Sequence, residues 1–208
     1  MSCELRPSDL LLVIDVQNDF VTGSVAIPDA PAIVPVINRL VPRFEQTAFT
    51  LDWHPRRHVS FASSHEGARA GDVVQVPYGP QALYADHCVQ GTWGAELDSA
   101  LDLSGAVLRL HKGCRRDVDS FSAFTENDQI TTTGLAALLH ERQVRRIFFA
   151  GLSLYGCVRH SALHARKAGF DAFIVTDACR ARPSPQNEAF ARELADQGVG
   201  FLDAAVIL

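Results

Sequence analysis

Several features that mark particular classes of protein are missing from this sequence of 208 residues. No apolar run approaches the roughly 20 residues that a membrane-spanning helix needs. The net charge is −5, so the composition favours neither nucleic acid nor an anionic lipid surface as a partner. The N-terminus, MSCELRPSD, lacks a basic segment followed by an apolar one. These absences argue against membrane and nucleic-acid partners and predict a cytoplasmic protein.

The cysteines do not form the closely spaced pairs of disulfide frameworks or thiolate zinc clusters. Their number is odd, they are widely spaced, and no CxxC pair occurs among them. Reduced thiols are therefore expected. The five are Cys3, Cys88, Cys114, Cys157 and Cys179.

The patterns that are present are typical of an α/β protein. Hydrophobic residues make up 47% and charged residues 21%, which is ordinary for a soluble globule. Strand-like runs lie at 10–15, 47–51, 106–111, 145–150, 172–176 and 201–207, and helical patterns lie between them at 31–44, 133–142, 157–168 and 186–197. This alternation predicts a three-layer α/β/α fold around a central, mainly parallel six-stranded sheet. We expect a single domain over 1–208, with a long loop region at about 53–105 that serves function.

Four of the predicted strands end on, or lead into, residues that do acyl-transfer or metal chemistry. Asp15 ends LLVID, and Asp52 and His54 lie at the end of TAFTLDWH. Lys112 ends AVLRLHK, and Cys157 follows RRIFFAG. Because the carboxyl ends of neighbouring parallel strands open into one crevice, we expect these side chains to meet there.

A metal site is one prediction for this crevice. Asp52 and His54 are two apart on an extended segment and point to the same face, so both can approach one cation. His87 is a candidate third ligand, and such a set with open positions suits Zn²⁺, Fe²⁺ or Mn²⁺. The alternative is that Asp52 caps a turn and His54 lies on the surface. His58 is a candidate hydrogen-bond partner of a metal ligand, with a solvated loop residue as the alternative, and Glu66 is a further candidate oxygen ligand.

A nucleophile is the second prediction. Cys157 is expected at the start of a helix, whose dipole and free amides favour a thiolate and can hold an oxyanion. The alternative is a small buried hydrophobic residue. Asp15 would be costly to bury unpaired, and Lys112 is its natural partner. We expect the carboxylate to act as general base and the ammonium to hold the thiolate, although a surface ion pair is the commoner outcome for such residues.

Longer segments carry a family resemblance. The chain resembles the nicotinamidases of the isochorismatase-like (cysteine amidohydrolase) superfamily in the segments DVQNDF at 15–20, DWHPRRHVSFASSH at 52–65, DHCVQGTWGAEL at 86–97, HKGCRRDVDSFSAF at 111–124, TGLAALL at 133–139 and GLSLYGCVRHSALHA at 151–165. The resemblance implies the isochorismatase-like fold. It also implies hydrolysis of nicotinamide to nicotinate and ammonia, an NAD-salvage reaction that often extends to pyrazinamide.

The resemblance also assigns roles to individual residues. It implies a catalytic triad of Asp15, Lys112 and Cys157. It implies one divalent metal ion (Zn, Fe or Mn) that binds the ring nitrogen of the substrate and is held by Asp52, His54 and His87.

The remaining implied roles concern the substrate. The oxyanion hole would be formed by the amides of Ser153 and Cys157, after a cis peptide between Leu152 and Ser153. Phe20 and Tyr84 would line the aromatic ring of the substrate.

The sequence departs from its relatives in two places. Leu154-Tyr155-Gly156 stand where relatives usually carry Thr-Asp-Tyr/His, and Tyr84-Ala85 stand where many carry Trp-Pro. Two alternatives stay open: a related amidohydrolase acting on another small carboxamide, and a catalytically silent metal-binding or partner-binding module. Family members range from monomers to tetramers, so a homo-oligomer is one expected state.

Overall fold

The computed structural model describes residues 3–208 of the chain. The strands in chain order are β1 (Asp9–Ile14), β2 (Gln46–Asp52), β3 (Val73–Val76), β4 (Gly79–Ala82), β5 (Ala106–Lys112), β6 (Arg146–Leu152), β7 (Asp171–Arg180) and β8 (Gly200–Leu202). The α-helices are α1 (Asn18–Val21), α2 (Val34–Leu40), α3 (Leu135–Glu141), α4 (Arg159–Lys167) and α5 (Asn187–Asp196). Six strands form one sheet in the order β5-β2-β1-β6-β7-β8, and all neighbouring pairs are parallel.

The central strand β1 shows why the sheet has helices on both faces. Its sequence DLLLVI is buried throughout, which is expected of a parallel strand covered on both sides. Alternate residues point to opposite faces. Leu10 and Leu12 pack in the core that includes residues of α3, α4 and α5, whereas Leu11 and Val13 pack in the core that includes α2. The predicted α/β/α layering is therefore confirmed.

The order of the strands creates a crevice at the carboxyl edge of the sheet. From β1 the chain adds β2 and β5 on one side, and then crosses to add β6, β7 and β8 on the other. The strand order thus reverses at β1, which is where open α/β sheets bind ligands. Gly151 lets β6 approach β1 closely, because a Cβ at this position would lie 2.1 Å from the carbonyl oxygen of Ile14.

Most predicted elements are present, but several bounds differ. The strand predicted at 172–176 extends over Asp171–Arg180, and the helix predicted at 31–44 is an α-helix only over Val34–Leu40, with a 3-10 turn on either side. The last strand covers only Gly200–Leu202 and is followed by a short 3-10 turn at Ala204–Val206, so the predicted run 201–207 is too long. The helix predicted at 157–168 begins at Arg159. The sequence patterns missed α1 and the antiparallel β3–β4 hairpin, because elements of four residues are too short to show a clear period.

Two further observations bear on the expectations from composition. No helix within residues 3–208 is both long enough and apolar enough to cross a bilayer. All five cysteines are free thiols, as the absence of closely spaced pairs predicted.

Candidate active site

The crevice holds a buried cluster of charged groups centred on the ammonium of Lys112. Its Nζ lies 2.8 Å from Oδ2 of Asp15 and 2.5 Å from Oδ1 of Asp52. The same nitrogen donates to the carbonyl oxygen of Ser120 at 2.9 Å and lies 3.5 Å from Sγ of Cys157. The predicted meeting of strand-end residues therefore occurs, because β5, β2, β1 and β6 are neighbours in the sheet.

The two carboxylate oxygens of Asp15 have different partners. Its Oδ1 accepts a hydrogen bond from the hydroxyl of Thr50 at 2.6 Å. Within residues 3–208 its Oδ2 has the close ammonium of Lys112 but no well-aligned hydrogen bond. Burial raises the pKa of Asp15 to about 6; Lys112 opposes this shift, and the nearby carboxylate of Asp52 adds to it. The group is thus mainly ionised at neutral pH and can accept a proton.

Cys157 lies in an irregular turn, Leu154–Val158, rather than in the first turn of a helix. Gly156 interrupts the helical backbone there with φ −104° and ψ −111°, and α4 begins only at Arg159. Burial raises the pKa of the Cys157 thiol well above its ordinary value, and the ammonium of Lys112 only partly opposes this. The expectation that a helix dipole keeps a thiolate at rest is therefore wrong. The resting group is a thiol that needs a base.

The turn before Cys157 folds back on Ser153. The peptide bond between Leu152 and Ser153 is cis, as the family resemblance implied. The carbonyl oxygen of Ser153 accepts hydrogen bonds from the amides of Gly156 at 2.9 Å and Val158 at 3.2 Å. As a result Ser153 and Cys157 lie on the wall of one cavity.

Asp52, His54 and His87 are brought together beside this cluster. One donor atom from each lies within 4.8 Å of the others, and all three residues are buried. Nδ1 of His54 lies 3.0 Å from the carbonyl oxygen of Gly113, and Nδ1 of His87 lies 2.8 Å from that of Ala85. Since a carbonyl only accepts, each Nδ1 carries the proton and each Nε2 keeps its lone pair.

These donors fit a divalent metal ion. Burial, together with the neighbouring imidazoles, holds the pKa of His54 well below its usual value, so the ring is neutral, as a metal ligand must be. Oδ2 of Asp52 lies 3.8 Å from Nε2 of His54, while Oδ1 of the same carboxylate binds Lys112. Two imidazoles and one carboxylate suit Zn²⁺, Fe²⁺ and Mn²⁺ alike. Asp52 therefore links the metal donors to the cluster around Lys112.

His58 and Glu66, the two further candidates near the metal site, lie outside the set formed by Asp52, His54 and His87. The ring of His58 stacks on that of His54, with 4.1 Å between centroids. Its Nδ1 is paired with the hydroxyl of Ser60 at 2.8 Å and its Nε2 with the carbonyl of Val118 at 3.2 Å, so both ring nitrogens have partners within the protein. Glu66 is exposed on the loop. His58 thus supports the ring of His54 by packing.

A cavity of about 230 Å³ lies between the nucleophile and the metal donors. Cys157 and Ser153 lie on its wall together with Asp52 and His87. Phe20 and Tyr84 both line it and meet the ring of His87 edge-on, at centroid distances of 5.6 and 5.7 Å. The other lining residues are Val25, Ile27, Asp119, Phe121, Tyr155, Gly156, Ala181, Arg182, Ser184, Asn187 and Phe190.

Asp119 is a buried carboxylate in this cavity that the sequence analysis did not single out. It accepts hydrogen bonds from the side-chain amide of Gln81 at 3.0 Å and from the amide of Ser120 at 2.8 Å. One of its oxygens lies within 4.8 Å of ring nitrogens of His54 and His58. The sequence signal that could have identified Asp119 is an acidic residue flanked by Val118 and Ser120-Phe121, next to apolar residues.

Comparison with known proteins identifies the family of the chain. The Isochorismatase domain family matches residues 9–206. The nicotinamidase of Acinetobacter baylyi is 47% identical over 172 residues, which cover 82% of this chain and 80% of that relative. The solved Acinetobacter baumanii nicotinamidase/pyrazinamidase is 37% identical and superposes with a TM-score of 0.96, covering 99% of this chain and 100% of the other.

Two further solved structures carry ligands. PnC1 of L. infantum, solved with nicotinate, is 31% identical with a TM-score of 0.88 and covers 99% of this chain and 98% of its own. The pyrazinamidase of Pyrococcus horikoshii, solved with zinc, is 28% identical with a TM-score of 0.77, covering 95% and 99%. Together with the family match over almost the whole sequence, these likenesses establish that the chain belongs to the isochorismatase domain family and, within it, to the nicotinamidase group.

Proposed function

We propose that this protein is a nicotinamidase that hydrolyses nicotinamide to nicotinate and ammonia through a thioester on Cys157. The observation that carries the proposal is the buried cluster of Asp15, Lys112 and Cys157. Its nucleophile, Cys157, lies on the wall of a cavity that the metal donors Asp52 and His87 also line. A thiol, a base and a cation within contact distance are what acyl transfer through a cysteine requires. The nicotinamidase relatives and the nicotinate-bound neighbour support the same reaction.

The first step is the formation of the nucleophile. Asp15 takes the proton of the Cys157 thiol on Oδ2, the oxygen that Thr50 leaves free. Because the pKa of the thiol lies well above that of the carboxyl, the proton moves as Sγ attacks the carboxamide carbon rather than beforehand. The ammonium of Lys112, 3.5 Å from Sγ, stabilises the negative charge on sulfur.

The reaction then proceeds in two stages, acylation and hydrolysis, each through its own tetrahedral intermediate. The amides of Ser153 and Cys157 are the proposed donors to the oxyanion of each intermediate. Protonated Asp15 gives its proton to the leaving nitrogen, and ammonia departs as the thioester forms. Asp15 next takes a proton from a water molecule that attacks the thioester carbonyl. The C–S bond of the second tetrahedral intermediate breaks, and Asp15 returns its proton to Sγ, which restores the thiol of Cys157. The acid product leaves as nicotinate after its proton passes to water.

The metal donors and the aromatic residues of the cavity would orient the substrate. A divalent ion held by Asp52, His54 and His87, when bound, would supply a Lewis acid for the ring nitrogen and so fix the ring with its carboxamide toward Cys157. Phe20 and Tyr84 pack at the face that the ring would occupy. The proposed ion is Zn, Fe or Mn, and the zinc-bound pyrazinamidase neighbour supports zinc.

The proposal also covers a second substrate, the location of the protein and its oligomeric state. Pyrazinamide is the second substrate that we propose, supported by the nicotinamidase/pyrazinamidase neighbour. The free thiols support a cytoplasmic location. A homo-oligomeric state stays a prediction, which light scattering would test.

The test is ammonia release from nicotinamide by chelator-treated protein, before and after Zn²⁺, Fe²⁺ or Mn²⁺ is added back. We expect metal-dependent release that Cys157→Ala abolishes and the control Cys3→Ala retains. Release that survives in Cys157→Ala would exclude the thioester mechanism. Metal-loaded wild-type protein that releases no ammonia would instead favour another carboxamide or a silent module, which a panel of amides would separate.

A further inference from the structure

One short segment, 15–20, reaches every part of the proposed site. Its first residue, Asp15, is the proposed base, and its last, Phe20, lines the cavity. Between them, Gln17 and Asp19 have side chains that neither the proposed catalysis nor the substrate pocket uses. Both form hydrogen bonds to backbone groups of the metal-donor segments.

Gln17 binds the backbone of Asp52 from both sides. Its Oε1 accepts the Asp52 amide at 2.7 Å, and its Nε2 donates to the Asp52 carbonyl at 2.7 Å. The same Nε2 donates to the carbonyl of Ala95 at 2.8 Å, and the residue is completely buried. All these bonds need an amide, since a carboxylate cannot donate to two carbonyls.

Asp19 performs the equivalent task for His87. Its Oδ2 accepts the amide of Cys88, the next residue, at 2.8 Å, and its Oδ1 accepts the amide of Ser24 at 3.1 Å. Cys88 has a φ of +46°, a left-handed conformation that an L-residue seldom adopts without support. The loop approaches the carboxylate so closely that a Cβ on Gly94 would lie 2.0 Å from its Oδ2.

We infer that Gln17 and Asp19 are positioning residues of the metal site, which hold the ligands Asp52 and His87 in register with the base Asp15. The inference rests on the metal assignment made under the proposed function. It means that the base and the residues that position two of the three ligands share one segment, so the segment sets the spacing between nucleophilic and metal chemistry. Neither residue is among those that line the cavity or form the metal-donor set; each acts through the backbone of a ligand segment.

The expected effect is on metal affinity. Groups that orient metal ligands typically change the affinity by about 10- to 100-fold when removed. Asp19→Asn keeps the size of the side chain but offers only one acceptor oxygen, so an NH₂ group faces one of the two amides that Asp19 now accepts. We expect the dissociation constant for Zn²⁺ to rise about 10- to 100-fold. Activity should return at saturating Zn²⁺, with kcat close to that of the wild type.

The experiment is competition for Zn²⁺ between a chromophoric chelator and the wild type, Asp19→Asn and Asp29→Asn. Asp29→Asn is the matched control, because it removes the same charge from an exposed position on the loop that follows α1. Gln17→Leu is a second variant for the Asp52 side. A circular dichroism melt of each metal-free variant establishes that it is folded before its affinity is compared.

The outcomes separate this inference from the proposed function. Weaker Zn²⁺ binding in Asp19→Asn and Gln17→Leu, with wild-type binding in Asp29→Asn, would support it. Wild-type protein that binds Zn²⁺, together with folded variants whose dissociation constants stay within about twofold of it, would overturn the inference alone. Wild-type protein that binds no metal would overturn the metal assignment and this inference together.

Discussion

Replacing Asp15 by asparagine should abolish ammonia release and yet make the metal-free protein more stable at pH 7. The reason lies in the charges around Lys112. One ammonium stands between the carboxylates of Asp15 and Asp52, so this buried cluster carries a net negative charge when both are ionised. The substitution would leave a single matched ion pair, with the new amide oxygen toward Lys112 and the new NH₂ group toward the Thr50 hydroxyl.

The pKa of Asp15 sets the size of the effect. A rise from 3.8 to about 6 means that ionising this group in the folded state is disfavoured by about 3 kcal/mol, at 1.36 kcal/mol per unit. A neutral isostere avoids this penalty. We therefore expect Asp15→Asn to raise the free energy of unfolding at pH 7 by up to about 3 kcal/mol.

The dependence on pH follows from the same shift. A carboxyl whose pKa is higher in the folded than in the unfolded state binds its proton more tightly when folded, so protonation stabilises the fold. For the wild type, this contribution is therefore present below about pH 4 and is lost as the pH rises to about 6. The difference between Asp15→Asn and wild type should be small at pH 4 and complete at pH 7.

Urea unfolding of chelator-treated proteins at pH 4, 5, 6 and 7 measures this difference. Lys112→Met serves as the contrasting variant, because it leaves two buried carboxylates without a cation and should cost about 3–5 kcal/mol. An Asp15→Asn protein that is less stable than wild type at pH 7 would refute the reasoning. A difference of the same size at pH 4 and pH 7 would refute it equally.

Two further predictions concern the metal donors and the pocket. Gly113→Ala should weaken metal binding at least about tenfold, because its Cβ would lie 2.5 Å from Cε1 of the ligand His54 and would displace the ring. Gly134→Ala is the control, since Gly134 also has a positive φ but has open space around it. We expect titration calorimetry to show an unchanged metal affinity for this control. An equal loss of metal affinity in both variants would show that backbone strain, and not the contact with His54, causes the effect. Phe20→Ala should raise KM for nicotinamide up to about tenfold with a smaller change in kcat, since aromatic contacts contribute about 0.5–1.5 kcal/mol; an unchanged KM in steady-state kinetics would show that Phe20 does not contact the ring.

The elements that could be read from the sequence are those with strong local periods. The strands β1, β2, β5 and β6 fall within two residues of their predicted bounds. Because the carboxyl ends of parallel strands open at one edge of the sheet, Asp15, Lys112 and Cys157 could be assigned to one crevice in advance. The order of the strands was not predicted and comes from the structure. The β3–β4 hairpin had no such signal, since it is short and lies at the surface.

The sequence by itself thus determined the fold class, the residues at the strand ends and the chemistry that they can perform, because side-chain type and strand period are local properties. Only the tertiary structure decided that burial raises the pKa of the Cys157 thiol, that His58 stacks on His54, and that Asp119 faces the cavity. Those outcomes depend on burial and on contacts between distant segments. The amide of Gln17, 35 positions from the backbone of Asp52 that it binds, is such a contact.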